Sequence, residues 1–262
     1  MKFVDTHAHI HFEDYGLDPE VVIEDARKEG VTRLLCVGCT LDDSKLGIKM
    51  AAQNDNIWAS IGLHPHEGAK YIDDPRAIKE FQGLALSPKV VAVGETGLDY
   101  YYEHSPKEVQ KKLLIMQLTL AKQHNLPVIF HLRGAKANPD EVFDDFFAIL
   151  RDFEGVRGVV HSFTGTKAQL DKILNLGLYI GLNGIMTFTS DEKQLEMAKS
   201  VPLSKLLLET DAPFLTPTPF RGTICQPKHL VLTAEFLATL RGESLEQLAK
   251  QTTENAQKLF NL

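Results

Sequence analysis

The chain has 262 residues, 44% hydrophobic and 24% charged, an ordinary composition for a globular protein with a sizeable core. A net charge of −7 excludes a protein that coats nucleic acid. It does not exclude an enzyme acting on a phosphodiester, because bound divalent cations invert the local sign.

No run of ~18 apolar residues marks a membrane span. The opening MKFVDTHAHI lacks the apolar stretch of a secretion signal, so a cytoplasmic location is expected. Along the chain a short apolar run, a polar turn and a longer amphipathic segment recur, with no linker or low-complexity stretch between them. The run at 3–7 (FVDTH) precedes a helical pattern at 19–30, 32–38 (TRLLCVG) one at 42–54, and 57–62 (IWASIG) one at 74–86. After 90–95 (VVAVGE), Ser105 and Glu108 predict a capping box, with Pro106 at the first position of a helix that stops before Pro127. The runs at 127–131, 157–161 and 178–183 precede helical patterns at 140–152, 166–176 and 191–200. The last run, 206–211 (LLLETD), leads to helices at 228–240 and 244–259.

The eight runs are nearly continuous in apolar residues, as strands of a buried parallel sheet should be. Eight strand–helix alternations in ~260 residues predict a single-domain (β/α)8 TIM barrel spanning 1–262.

Three cysteines are too few for a disulfide framework. Cys36 and Cys39 form a C-x-x-C pair without a second pair elsewhere, and Cys36 reads as a small core residue at a strand end.

Potential metal ligands collect at the ends of these runs. His7 and His9 end the first, His64 and His66 follow the third, Glu95 ends the fourth, His131 the fifth, His161 the sixth and Asp211 the eighth. The C-terminal strand ends of such a barrel converge on one face, where active sites are built. Residues two apart on a strand share a side, so His7 and His9 can reach one ion. Glu95 follows an apolar run, where an ionised carboxylate is costly without a cation, and its two oxygens can bridge two metals. Asp211 can both take a metal and accept a proton.

Asp99 reads as a turn or cap residue, or as a partner that orients a ligand histidine. Arg133 suits a phosphate or carboxylate of the substrate, or a structural ion pair. Glu209 reads as a deeper structural group. His11, His104, His124 and His229 receive no role. Tyr100, Tyr101, Phe163 and Phe188 fall in mouth loops, where aromatic rings can stack on terminal bases.

The chain resembles the TatD family of metal-dependent deoxyribonucleases. The motifs that carry the resemblance are DTHAH at 5–9, GLHPH at 62–66, GETGLDYY at 94–101, PVIFHLR at 127–133, HSFTG at 161–165, ETDAPFLTP at 209–217 and ENAQKLF at 254–260. It implies a first metal held by His7, His9, Glu95 and Asp211, and a second held by Glu95, His131 and His161. Asp211 would act as general base on a water attacking from between two divalent ions, Mg²⁺ or Mn²⁺, with Zn²⁺ also compatible with the ligands. His64 would contact the scissile phosphate or an additional cation, and Arg221 would reach a phosphate. The implied activity is 3′–5′ exonuclease cleavage of DNA, at single strands or 3′ ends, in repair or turnover, with no obligate protein partner. The chain departs from the family at Ser162, where cysteine is frequent, and at Cys225, where asparagine is usual.

Two rival readings use the same residues. One is a binuclear amidohydrolase or esterase acting on C–N or carboxylic ester bonds, including aminoacyl esters; Glu95, in place of a carboxylated lysine, disfavours it. The other is a metal-stabilised binding scaffold, which has no need of a base beside an open metal position.

Overall fold

The computed structural model describes residues 1–262 and shows eight parallel strands paired in chain order. They are β1 (Phe3–Ala8), β2 (Val31–Cys36), β3 (Ile57–Ile61), β4 (Val90–Asp99), β5 (Val128–Arg133), β6 (Gly158–Val160), β7 (Tyr179–Leu182) and β8 (Leu206–Leu208). Ten helices surround them: α1 (Pro19–Lys28), α2 (Leu41–Gln53), α3 (Gly68–Tyr71), α4 (Pro75–Leu84), α5 (Lys107–His124), α6 (Glu141–Leu150), α7 (Lys167–Asn175), α8 (Glu192–Ser200), α9 (Leu230–Arg241) and α10 (Leu245–Phe260). The architecture is the expected (β/α)8 barrel. No helix is long and apolar enough to cross a membrane.

Every residue of β1, β7 and β8 is buried, which is why these segments read as apolar runs without strict alternation. The outer side of the sheet packs on the helix ring. Val4 and Leu207, for example, share an apolar cluster with Ala256, Leu259 and Phe260 of α10.

Three local expectations are corrected. β4 continues four residues past Glu95, and β8 stops three residues before Asp211, which has a left-handed backbone with φ 59°. The capping box at Ser105 does not form: α5 begins at Lys107, with Pro106 at its cap. The Ser105 hydroxyl instead donates to the His66 carbonyl at 2.8 Å and accepts from Ala69 N at 2.9 Å. It is held by the segment around α3, a short helix that the periodicity did not indicate.

The barrel closes between β1 and β8 without a regular ladder. A single bridge joins Ala8 to Ala212, and His9 N donates to Ala212 O at 2.7 Å while Asp211 N donates to His7 O at 2.8 Å. Below it, Thr6 Oγ1 donates to Leu208 O at 3.0 Å. Buried Asp5 accepts from Thr210 N (3.0 Å), Thr210 Oγ1 (2.6 Å) and His7 N (3.3 Å). Burial pushes the Asp5 carboxyl up to about 7, against the pull of these donors. This seam sets His7, His9 and Asp211 side by side.

Asp5→Ala leaves two backbone N–H groups and a hydroxyl without their acceptor in a buried seam. It is expected to destabilise the protein by roughly 2–4 kcal/mol in urea unfolding. Asp5→Asn keeps an acceptor oxygen and should lose far less. A change under about 0.5 kcal/mol for Asp5→Ala would remove the seam from the account.

Candidate metal centre

His7 and His9 lie on and just past β1, His131 on β5, His161 directly after β6, His64 in the loop after β3 and Asp211 in the loop after β8. Glu95 is within β4, where the pairing register to β5 shifts between Val93 and Thr96. Such a bulge re-aims a side chain, here into the mouth. It relies on Gly94 (φ 141°) and Gly97 (φ 151°), because a Cβ at either position would overlap β5, at Ile129 and at His131.

The arrangement is organised around Glu95. Its Oε2 faces one group: His7 Nε2 is 3.3 Å away and His9 Nε2 3.9 Å. In that group the two ring nitrogens lie 3.2 Å apart, and Asp211 Oδ1 is 3.5 Å from His7 Nε2 and 3.4 Å from His9 Nε2. Glu95 Oε1 faces a second group, with His131 Nδ1 at 2.7 Å, His161 Nε2 at 2.8 Å and His64 Nε2 at 3.5 Å. His131 Nδ1 and His161 Nε2 are 3.2 Å apart. Six sequence-predicted ligands therefore converge, and Glu95 presents one oxygen to each half.

The donor set fits divalent cations. Imidazole nitrogens and carboxylate oxygens crowd in groups of three, within 4.8 Å of one another, with His7, His9, Glu95 and His161 buried. Protons or cations must sit among them. Without a metal, protons fill that role. Burial disfavours charge on His9, His131 and His161, but their carboxylate neighbours outweigh it and raise all three above the ordinary value: Asp211 for His9, Asp99 and Glu95 for His131, and Glu95 and Glu209 for His161. Glu95 is held well below the carboxylate range, because His161, His64 and His131 overcome its burial, and Asp211 is lowered likewise, chiefly by His9. Burial and the charge of His161 lower His7, and burial pushes His64 down to about 4.

The surrounding shell orients the rings. His9 Nδ1–H donates to Val37 O at 2.7 Å, which leaves Nε2 free toward the centre. Asp99 divides its two oxygens: Oδ2 accepts from His131 Nε2 at 3.1 Å and His66 Nε2 at 3.0 Å, and Oδ1 accepts from the backbone N–H groups of Tyr101 and Tyr102, both at 2.9 Å. Asp99 thus holds the turn after β4 and also bonds His131, a candidate ligand. Glu209 is buried beneath His161, with Oε1 accepting from Ser162 N at 2.6 Å and lying 3.6 Å from His161 Nδ1.

Some residues fall elsewhere. Arg133 is exposed and rests on the rings of Tyr101 and Tyr102, with no carboxylate partner. Arg221 lies on the Phe188 ring at 3.7 Å and donates to Thr216 O at 2.7 Å. Tyr100 and Phe163 are corrected as base-stacking candidates. Both are 2% exposed; Tyr100 donates to Asp145, and Phe163 packs on Phe143. The Cys225 side chain is also buried, with its Sγ 4.0 Å from Thr210 O, and its carbonyl accepts from Tyr15 OH at 3.1 Å.

Sequence reasoning missed Cys39. Its Sγ lies 3.6 Å from Glu95 Oε2, and its backbone N–H donates to Asp43 Oδ2 at 2.6 Å. Cys36 is separate, buried against Met50, and neither cysteine is paired. His11, given no role, is buried with Nε2 2.8 Å from Asp43 Oδ1, so it buttresses the same loop. The available signal for Cys39 was its place just after a strand, on the ligand face.

A family model described as TatD related DNase matches residues 4–261. The chain belongs to the TatD family. Among its relatives is the Bacillus subtilis (strain 168) uncharacterized metal-dependent hydrolase YabD, 40% identical over 98% of each chain. The Klebsiella pneumoniae (strain 342) 3′-5′ ssDNA/RNA exonuclease TatD is 33% identical over 95% of this chain and 94% of its own. The crystal structure of the TatD homologue YJJV from Escherichia coli K12 superposes with a TM-score of 0.89 at 30% identity, covering 99% of this chain and 98% of the other. This TatD protein is thus a hydrolytic enzyme whose clustered histidines and carboxylates are suited to metal.

Proposed function

We propose that this TatD protein hydrolyses phosphodiester bonds of DNA, as a 3′–5′ exonuclease on single strands or 3′ ends. The observation that carries the proposal is the split of Glu95, with one carboxylate oxygen toward His7, His9 and Asp211 and the other toward His131 and His161. A bridging carboxylate between two ligand groups suits two divalent cations, Mg²⁺ or Mn²⁺, with Zn²⁺ also compatible. His7, His9, Glu95 and Asp211 would hold the first, and Glu95, His131 and His161 the second. Such ions, when bound, make water acidic enough to attack at neutral pH and neutralise the phosphoryl oxygens.

The chain's own groups do the remaining work. Asp211, kept ionised at the rim of its group, accepts the proton of the attacking water. His64 is neutral at physiological pH, and its Nδ1 accepts from His66 N at 3.3 Å, so the proton sits on Nε2 and can be donated to a phosphate oxygen. Arg133 and Arg221 stand further out, where they can meet phosphates of the strand.

The test uses 3′- and 5′-labelled single-stranded DNA with Mg²⁺ or Mn²⁺. Expected is stepwise shortening from the 3′ end, abolished by EDTA and slowed at least about a hundredfold by Asp211→Asn, the scale of a lost general base. Intact DNA beside cleavage of a carboxylic ester or amide would overturn the substrate assignment and keep the metal centre.

A further inference from the structure

The loop after β4 carries the exposed aromatic wall of the mouth. Tyr101 is 37% exposed and Tyr102 51%, with ring centroids 4.8 Å apart. Large exposed rings side by side are unusual unless something covers them. The Arg133 guanidinium lies 4.5 Å from the Tyr101 centroid and 4.7 Å from that of Tyr102, and Lys136 Nζ is 5.3 Å from Tyr101. Tyr102 also neighbours His104, with ring centroids 5.8 Å apart and the two ring planes only 11° apart. Neither Arg133 nor Lys136 pairs with a carboxylate, although the chain as a whole is acidic. A patch of π-faces with unneutralised cations is suited to a ligand that is flat, aromatic and anionic at once.

The wall is in register with the metal centre. Arg133 is two residues beyond His131 on β5, roughly 7 Å of strand, and its backbone stands opposite that of Asp99 in the β4–β5 ladder. Asp99 holds the backbone of both tyrosines with one oxygen and orients His131 with the other. A group seated on the tyrosines is therefore held at a fixed offset from the histidine proposed to bind metal.

We propose that Tyr101, Tyr102 and Arg133 form a docking platform for an unpaired nucleobase beside the scissile bond, with Arg133 also meeting a backbone phosphate. The substrate class is a frayed or single-stranded end, because bases inside a duplex present no free face. Recognition is independent of sequence, since every base has a π-face. The proposal rests on the phosphodiesterase reading for its choice of ligand.

The test measures binding by fluorescence anisotropy in the Asp211→Asn background with Mn²⁺. Two ten-nucleotide thymidine strands are compared, one intact and one abasic at its two 3′-terminal positions. The platform predicts about tenfold weaker binding of the abasic strand. Adding Tyr101→Ala and Tyr102→Ala should weaken the intact strand about tenfold, leave the abasic strand unchanged and erase the discrimination. Adding Tyr101→Phe and Tyr102→Phe should restore it, which separates stacking from a folding defect.

Equal loss on both strands, no loss, or no binding of either strand overturns the platform. Cleavage by the wild-type protein is followed in parallel. DNA cutting without base discrimination sinks the platform alone. Discrimination without any cutting sinks the phosphodiesterase reading and leaves the platform standing.

Discussion

Replacing Glu95 by glutamine should eliminate hydrolysis and metal loading together. The substitution keeps the shape but removes the negative charge that faces both ligand groups, and it turns one of the two oxygens into an N–H donor aimed at ring nitrogens or at a cation. With Oε1 at 2.7–2.8 Å from His131 and His161, and Oε2 at 3.3 Å from His7, neither flip of the amide is acceptable. Changes to groups that merely support a ligand cost about 10–100-fold in affinity or activity. A group shared by two ions should cost more than either. Turnover is expected to fall by more than about 10⁴-fold, because nucleophile activation and charge neutralisation both depend on the ions. On the proposed two-metal reading, metal content after desalting, measured by mass spectrometry, should drop from two equivalents to less than one. Retention of two equivalents in Glu95→Gln would show that Glu95 does not bridge.

How much of this was legible in the sequence depends on which force places each residue. His7, His9, His131 and His161 were visible because burial forces a parallel strand to be apolar, so a polar residue at its end stands out. Glu95 was visible for the same reason, yet its strand was cut short. The apolar run ends at Glu95, whereas the glycines of GETGLD carry the strand on by allowing the bulge and the close approach of β5. The capping box at Ser105 was a local rule defeated by a tertiary contact, since the hydroxyl is spent on His66 and Ala69. Tyr100 and Tyr101 were indistinguishable as loop aromatics. Only the packing tells that one ring is buried, with its hydroxyl on Asp145, and the other faces out. Cys39 escaped because its neighbour in the mouth, Glu95, is 56 residues away.

Metal affinity should fall steeply as pH drops, and the sign follows from the raised histidines. His9, His131 and His161 hold protons in the metal-free protein to a pH above their ordinary value near 6.5, because the carboxylates around them outweigh burial. Each cation that enters must displace such protons, at a cost of up to about tenfold in affinity per pH unit per proton. His7 and His64 are lowered, hence already neutral, and add nothing to the slope near neutrality.

The metal-free protein behaves in the opposite sense. A raised histidine contributes stability that is fully present below about 6.5 and lost as pH rises through its folded value. The lowered Glu95 and Asp211 contribute stability that is present above the ordinary carboxylate range and lost as pH falls through their depressed values. The raised histidines and the two carboxylates therefore favour the metal-free fold most between about pH 5 and 6.5, an advantage that the lowered His7 and His64 offset increasingly as pH falls below 6.5. The loaded fold gains as pH rises above that window. Melting temperatures with EDTA and with Mn²⁺ at pH 5.5, 6.5, 7.5 and 8.5 should diverge with increasing pH, and calorimetric titration at pH 6.5 should show proton release in buffers of different ionisation enthalpy. A metal-induced shift in melting temperature that stays flat across this range would mean that the histidines are not the groups the metal displaces protons from.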